Sequence, residues 1–189
     1  MKLHQFRVSG AFLLLLAWLF YTDRQNIVSL SVMACILHEL GHIFAIRCLG
    51  SHVKEISITI VGAEIKTERL LDYRSEGIVA LCGPCVNFLL AMLFGIPEWG
   101  HVFAGINLAL GSLNLLPVHP LDGGRMLRAA LAYLIDASWA DQVSECLGLV
   151  FSVLLCLFGG WITLCSGNIT LLLVSAWMTS TYFKRKVCD

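Results

Sequence analysis

Long stretches without a charged side chain constrain this protein more than any other feature of its sequence. Residues 77–97, 100–121 and 146–183 contain no aspartate, glutamate, lysine or arginine. A helix needs about 20 apolar residues to cross the hydrocarbon core of a bilayer. Charged residues make up 14% of the chain and apolar residues 58%, whereas a typical soluble domain is about 25% charged. The pattern predicts an all-α polytopic membrane protein.

Two further apolar segments, residues 8–21 and 27–46, precede these stretches. A cleaved signal peptide is the alternative for the first segment. However, the polar residues 22–26 follow it, where small residues would mark a cleavage site. Residues 146–183 are long enough for two spans, separated at the turn signal of residues 166–168. We therefore expect about six transmembrane helices.

The basic residues predict how these spans are oriented. If the N-terminus is cytoplasmic, all of the 13 lysines and arginines except Arg24 lie on the cytoplasmic side. Such asymmetry is typical of membrane proteins, so we expect a multi-pass protein of the cell membrane with both termini in the cytoplasm and the lipid bilayer as its surroundings. The formal net charge is zero and no basic face dominates, so nucleic acid is not an expected partner.

The segment between the second and third spans has a different pattern. Residues 56–60 alternate with a period of two, which is typical of a β-strand. Gly62 allows a turn, and residues 63–67 can return as a second strand. We expect a short β-hairpin at the cytoplasmic face; an ordinary surface loop is the alternative.

The second span contains the most specific chemical motif, His38-Glu39-Leu40-Gly41-His42. Side chains at positions i and i+4 of a helix share one face, so both imidazoles can reach one Zn²⁺, with Glu39 beside them as a general base. A polar stripe on an amphipathic helix is the alternative. Ionisable groups at bilayer depth cost about 2.5–3.5 kcal/mol each, and a bound dication compensates for that cost.

A catalytic zinc ion usually has three protein ligands, so a third ligand is expected elsewhere in the chain. Asp122 lies in a segment with two prolines and two glycines at the end of a span. Irregular backbone at membrane depth is tolerated only where it lines protein or a cavity, which indicates a buried site there. Asp122 could instead cap the helix predicted at residues 125–135. The remaining acidic candidates are Glu64, Glu68 and Glu76.

Three segments together resemble a known family. They are residues 38–42 (HELGH), residues 83–87 (GPCVN) and residues 114–125 (NLLPVHPLDGGR). The motifs and their order along the chain resemble those of the site-2 proteases, which are intramembrane zinc metalloproteases. The resemblance covers residues 27–131. The layout is most similar to the branch of stage IV sporulation protein FB. It departs from that branch in lacking a C-terminal CBS domain, so regulation through such a domain is not expected.

The resemblance implies one Zn²⁺ per chain, bound by His38, His42 and Asp122, with Glu39 as general base and later proton donor. It implies a single metalloprotease domain over residues 1–189, with its core at residues 27–131. The implied substrate is a membrane-tethered protein cleaved in or near a transmembrane segment. In a spore-forming bacterium this is a pro-sigma factor, and a membrane regulatory or inhibitory protein is a further expected partner.

Three residues are weaker candidates for contact with the substrate. Asn87 could orient the substrate or stabilise an oxyanion, or it could form an interhelical hydrogen bond. Ile58 lies in the predicted strand, whose edge could accept an unwound substrate as an added strand. His119, near Asp122, could face the substrate, support the metal site or lie in a wetted loop.

Two other classes of function stay open. A metal-ion transporter could use the same ligands, although transporters often carry internal repeats and this sequence shows none. The pair Cys82 and Cys85 is spaced as in a thiol oxidoreductase. It lies in an apolar span without a βαβ pattern, where a thiolate would be poorly stabilised.

Overall fold

The computed structural model describes residues 5–59 and 62–167, together with residues 169, 172, 175, 176 and 179. It is mostly helical and contains one small sheet. In chain order the elements are β1 (Gln5–Val8), α1 (Gly10–Thr22), α2 (Ile27–Cys48), β2 (Val53–Thr59), β3 (Gly62–Thr67), α3 (Tyr73–Phe94), α4 (His101–Asn114), α5 (Asp122–Leu134) and α6 (Ala137–Ser166). The predicted helical protein with a β-hairpin after its second apolar helix is confirmed.

The chain divides into two compact units, Met1–Ser112 and Leu113–Asp189. The first unit contains the sheet, α1, α2, α3 and most of α4, and the second contains α5 and α6. The single domain over residues 1–189, with its core at residues 27–131, stays a prediction.

Among the described residues, three helices have the length and apolarity needed to cross a membrane. They are α2, α3 and α6, with mean hydropathies of 1.7, 2.1 and 2.2. α1 and α4 have 13 and 14 residues, which at 1.5 Å per residue is roughly 20 Å, less than the approximately 30 Å hydrocarbon core. Most of the predicted sixth span lies outside the described residues, so the count of six spans stays a prediction.

The ends of two predicted spans differ from the observed helices. The fourth was expected over residues 100–121, but α4 ends at Asn114 and residues 115–121 form turns. The prolines of that segment have no backbone N–H to continue a helix. The fifth begins earlier than expected, at Ala137, because the Asp136 carboxylate caps α6 by accepting from the Ser138 amide at 3.1 Å. Gly167, with φ 73°, ends α6 as the turn signal predicted.

The sheet has the order β1-β2-β3. β2 and β3 pair antiparallel, with Ile56 opposite Ile65, and β1 pairs parallel with β2, with Phe6 opposite Ile56. The prediction that Ile58 lies on an open edge strand is wrong, because β2 is the central strand and Ile58 pairs with both neighbours. β1 was missed because its only partner is distant in sequence, and a four-residue strand has no pattern of its own.

Close packing between α2 and α3 positions the functional side chains. A Cβ at Gly41 would lie 2.9 Å from both the carbonyl oxygen of Cys82 and Cγ2 of Val86, so glycine allows the helices to approach. One turn further along α2, a buried cluster continues this contact towards β2. Its members are Ala45, Ile46, Val53 and Val79. The helices therefore hold a fixed register beside the sheet.

In the second unit, two glycines place the start of α5 directly against the preceding turns. A Cβ at Gly123 would collide with the backbone of Leu115, and one at Gly124 would lie 2.7 Å from the carbonyl carbon of Val118. Val118 itself is fully buried. Helix α5 starts at Asp122 with Leu121 as its N-cap, so Asp122 is the first helical residue of α5 and lies in a tightly packed corner.

Candidate metal centre

Two histidines on one face of α2 form the core of the candidate site. His38 and His42 are 5% and 4% exposed, and their ring centroids lie 4.7 Å apart. Their Nε2 atoms are separated by 3.1 Å. The predicted i, i+4 arrangement therefore exists, and both rings are removed from solvent inside the first unit.

The backbone of α3 determines which nitrogen of His42 carries the proton. Nδ1 of His42 lies 2.8 Å from the carbonyl oxygen of Val79. A carbonyl oxygen can only accept a hydrogen bond, so Nδ1 must be the donor. The Nε2 atom then carries the lone pair, which is the form of neutral imidazole that binds a metal.

His38 is oriented by an amide instead of a backbone carbonyl. Its Nδ1 atom is hydrogen-bonded to Oδ1 of Asn87, which lies on α3. The amide nitrogen of Asn87 donates to Oδ1 of Asn107 on α4 at 2.8 Å, and Asn107 donates to the carbonyl oxygen of Phe103 at 2.9 Å. As for His42, Nδ1 is the donor and the lone pair is on Nε2.

These protonation states fit a bound cation. Two Nε2 lone pairs that face each other at 3.1 Å repel unless a proton or a metal ion lies between them. Zinc–nitrogen bonds are about 2.0–2.1 Å in a tetrahedral site, which places two ligating nitrogens roughly 3.3 Å apart. The separation observed between His38 and His42 is close to that value, so the pair matches two ligands of a single zinc ion.

A glycine on α3 makes room for the two rings. A Cβ at Gly83 would overlap the imidazole of His42 and would lie 2.7 Å from Cε1 of His38. Gly83 is also buried. Any larger residue would displace the imidazoles, so this position is part of the site although it has no functional group.

Glu39, the predicted general base, follows His38 directly on α2 and is half-buried. It lies between the two candidate ligands in the sequence of α2. Glu39 is thus less enclosed than the two histidines.

Asp122 lies in the second unit and is 7% exposed. Its Oδ1 atom accepts from the guanidinium of Arg125 at 3.5 Å, one turn further along α5. The start of a helix favours a negative charge, and Asp122 is the first helical residue of α5. Asp122 in the second unit is buried, as His38 and His42 are in the first.

The other acidic candidates for a third ligand have more open surroundings. Glu64 is 69% exposed and lies 3.9 Å from the amine of Lys66. Glu68 follows β3 and is exposed, and Glu76 lies half-buried in the first turn of α3. Buried charges are usually paired or coordinate metals, so the burial of Asp122 favours it as the third ligand.

The three predicted substrate-contact residues have different surroundings. Asn87 is 0% exposed and hydrogen-bonds to His38 and Asn107 through its two amide atoms. Both bonds join different helices, and the contact with the substrate stays a prediction. Ile58 is half-buried in the central strand, as described above. His119 is exposed in the turn that precedes α5, which keeps it accessible.

Sequence reasoning missed Asn107 and assigned Gly83 no role of its own. Asn107 is fully buried and accepts a hydrogen bond from Asn87, whose other amide atom bonds to His38. One signal pointed to it: it is a polar amide in a charge-free span, and such groups mark interhelical contacts. The role of Gly83 depends on how closely α2 and α3 approach, which a single sequence does not contain.

Comparison with known proteins agrees with this site. Residues 95–158 match the family model of peptidase family M50. Zinc metalloprotease MJ0392 of Methanocaldococcus jannaschii is 29% identical over 154 residues, which cover 76% of this chain and 44% of that protein. Stage IV sporulation protein FB of Bacillus subtilis is 25% identical over 157 residues, or 78% of this chain and 52% of that protein. The chain thus spans about half the length of these relatives.

The fold also has a known counterpart. The site-2 protease from Methanocaldococcus jannaschii superposes with a TM-score of 0.70 over 97% of this chain and 92% of that chain, at 23% identity. This likeness identifies the fold as that of a site-2 protease, and it agrees with the apolar helices of a membrane protein. Together with the sequence matches, it shows that the chain is similar to members of peptidase family M50 in sequence and to a site-2 protease in fold.

Proposed function

We propose that this chain is an intramembrane zinc metalloprotease in which His38, His42 and Asp122 bind one Zn²⁺. The observation that carries the proposal is the pair of Nε2 atoms 3.1 Å apart, each made available by a hydrogen bond at Nδ1. Two imidazoles and one carboxylate are a ligand set of catalytic zinc sites, which keep a fourth position for water or substrate.

Glu39 supplies the proton transfers in this proposal. Zinc, when bound, lowers the pKa of a bound water to about 7 and polarises a carbonyl group. The Glu39 carboxylate accepts a proton from the water that attacks the scissile carbonyl carbon. It then donates that proton to the amide nitrogen as the peptide carbon–nitrogen bond breaks, so the carboxylate is regenerated.

The location of the site points to the class of substrate. The two histidines lie on α2 and are packed against α3, and both helices are long and apolar enough to span a membrane. A peptide bond that reaches this depth belongs to a membrane-tethered protein cleaved in or near its transmembrane segment. An extended substrate could pair with the outer edge of β3, since β2 already has neighbours on both sides. His119 is the exposed side chain that we propose as a substrate contact.

A more specific substrate follows from a relative. The identity to stage IV sporulation protein FB supports a role in sporulation, with a membrane-tethered pro-sigma factor as the substrate and a membrane protein as regulator or inhibitor. Co-expression with a tagged pro-sigma factor tests this. Cleavage that depends on Glu39 would support this substrate, and cleavage only of unrelated membrane proteins would argue against it.

We also propose that both termini are cytoplasmic, in a bacterial cell membrane. The positive-inside pattern supports this orientation. The parallel pairing of β1 with β2 adds support, because it requires residues 5–8 and residues 53–59 to lie on the same side of the membrane. The helices α1 and α2 between them then form a hairpin that returns to its starting side. Cysteine-accessibility labelling at residues 5 and 54 tests this orientation.

The experiment that tests the enzymatic proposal is Glu39→Gln, measured on a membrane-tethered substrate in proteoliposomes. We expect a loss of at least about 10²-fold in cleavage rate, the usual contribution of a general base, with zinc content unchanged. Glu145→Gln, at an exposed position on α6, is the control and should retain full activity. Undiminished cleavage by Glu39→Gln would refute the assignment of Glu39 as the base.

Two rival functions have less support. A metal-ion transporter requires ligands along a path, whereas the described residues contain one buried cluster of metal-binding side chains. A thiol oxidoreductase requires a reactive pair. Cys82 and Cys85 are free thiols on the apolar helix α3, where a thiolate is poorly stabilised.

A further inference from the structure

A line of hydrogen bonds runs from His38 away from the metal site and ends on the backbone of α4. It consists of Nδ1 of His38 with Oδ1 of Asn87, Nδ2 of Asn87 with Oδ1 of Asn107, and Nδ2 of Asn107 with the carbonyl oxygen of Phe103. We call this line the amide relay. It connects α2, α3 and α4 within the first unit.

The far end of the amide relay fixes the direction of every bond in it. The carbonyl oxygen of Phe103 can only accept, so Asn107 must present its amide nitrogen there and its Oδ1 towards Asn87. Asn87 must then donate with Nδ2, which leaves Oδ1 facing His38. An oxygen at that point accepts only, so Nδ1 of His38 must carry the proton. Side-chain amides are ambiguous in isolation, and the backbone carbonyl removes the ambiguity.

Burial makes this direction costly to reverse. Asn87 and Asn107 are both 0% exposed, so neither amide can exchange a partner for water. A flipped Asn107 would place two oxygens against each other at Phe103. A flipped Asn87 would place two oxygens against each other at Asn107 and two donors against each other at His38. Unsatisfied buried polar groups are strongly disfavoured. The relay therefore has one stable arrangement.

We propose that Asn107 is a positioning residue, which acts through Asn87 to hold His38 in the Nδ1–H tautomer and so presents Nε2 to the metal. This proposal rests on the proposed zinc site. His42 obtains the same tautomer directly from the carbonyl of Val79. The tautomers of the two histidines are therefore fixed differently. His42 donates directly to a backbone carbonyl, whereas His38 is connected to a backbone carbonyl through the side-chain amides of Asn87 and Asn107.

The first test is Asn107→Leu, which keeps the approximate size of the side chain and removes both hydrogen bonds. Asn87 can then flip, and His38 can take either tautomer. In the full-length apo protein with ¹⁵N-labelled histidine, we expect the His38 ring nitrogens to change from the Nδ1–H pattern to a mixture. Zinc affinity, measured by chelator competition, should fall by about 10–100-fold, the usual effect of losing an outer partner of a metal ligand. Ser112→Leu, exposed on α4, is the control and should change neither measurement.

A second variant separates positioning from packing between α3 and α4. Asn87→Asp presents a carboxylate oxygen to His38 whichever way it rotates, so His38 keeps the Nδ1–H tautomer without help from Asn107. Asn107→Leu should therefore weaken zinc binding strongly in the parent protein and only slightly in the Asn87→Asp background. Equal losses in both backgrounds would show that Asn107 acts only as packing and would overturn the proposal.

The readouts also distinguish the proposal from the zinc site on which it rests. If the parent protein binds no zinc but His38 shows the Nδ1–H pattern that Asn107→Leu abolishes, the relay is correct and the zinc assignment is wrong. If zinc binds and Asn107→Leu leaves the His38 tautomer unchanged, the relay is wrong and the zinc assignment stands.

Discussion

The α-carbon of Gly83 faces the imidazole of His42 so closely that even a methyl group at that position would overlap the ring. The contact also involves His38, whose Cε1 atom would lie 2.7 Å from the added carbon. Helix α3 therefore packs directly against the two imidazoles of the metal site. Its backbone accepts a hydrogen bond from His42 at Val79 and leaves only enough space for the two rings.

Gly83→Ala should therefore damage the metal site. The added methyl group must push both imidazoles away from their positions, and we expect zinc affinity to fall by at least about tenfold, the lower range seen when a ligand's support is lost. Gly105→Ala on α4 is the matched control, since its added carbon meets nothing within 4 Å. Chelator competition on the purified proteins measures both. Unchanged zinc affinity in Gly83→Ala would show that the rings can move without cost.

Asp122→Asn tests the third ligand. An amide binds zinc far more weakly than a carboxylate, so we expect zinc stoichiometry to fall from one per chain to a small fraction after dialysis, as measured by metal analysis. Asp141→Asn, which removes an exposed partner of Arg128 on α6, should keep its zinc. If Asp122→Asn retained one zinc ion, the third ligand would have to be sought among the alternatives Glu64, Glu68 and Glu76.

The double substitution of Cys82 and Cys85 by serine should leave proteolysis intact. Neither thiol takes part in the proposed proton transfers, and serine is of similar size. We expect cleavage of a membrane-tethered substrate at a rate within about twofold of the parent. The two single substitutions serve as controls. A loss of cleavage only in the double variant would revive a redox function for this pair.

The N-cap of α6 predicts a pH-dependent stability. Hydrogen bonds from the hydroxyl and the backbone amide of Ser138 hold the pKa of Asp136 below its ordinary value of 3.8. A carboxylate with a lowered pKa in the folded protein stabilises it above the ordinary pKa, and this effect is lost as the pH falls through the lowered value. Asp136→Ala should therefore lower Tm in detergent at pH 7, with a smaller difference at pH 3.

Asp136→Asn provides the control for this prediction. Asparagine is as good an N-cap as aspartate and does not titrate in this range. We expect it to keep most of the stability at pH 7 and to lose the pH dependence that the carboxylate contributes. If Asp136→Ala and the parent differed by the same amount at both pH values, the carboxylate charge would not be the cause.

Local patterns predicted the parts of this protein that depend on nearby residues. The i, i+4 spacing placed His38 and His42 on one face of α2, and the alternation of residues 56–60 predicted the hairpin, of which the described strand ends at Thr59. The irregular backbone before Asp122 was also expected, because prolines and glycines set it directly. Each of these features is determined by chemistry within a few neighbouring positions.

The parts that were missed or wrong depend on distant residues. Ile58 was expected on an open edge because β1 carries no signal of its own and pairs with a strand far along the chain. Asn87 was expected near the substrate as readily as between helices, since its environment depends on Asn107 and on how α3 meets α4. Such contacts are set by packing in three dimensions, which the order of residues in one chain does not reveal.

The parallel pairing of Gln5 with Glu55 has a mechanical consequence. β1, which precedes α1, is hydrogen-bonded to β2, which follows α2. This pairing connects the outer ends of the two helices. A shift of α1 against α2 along the helix axes would first have to break the β1–β2 hydrogen bonds. The pairing of β1 with β2 therefore restrains α2, the helix that carries His38 and His42.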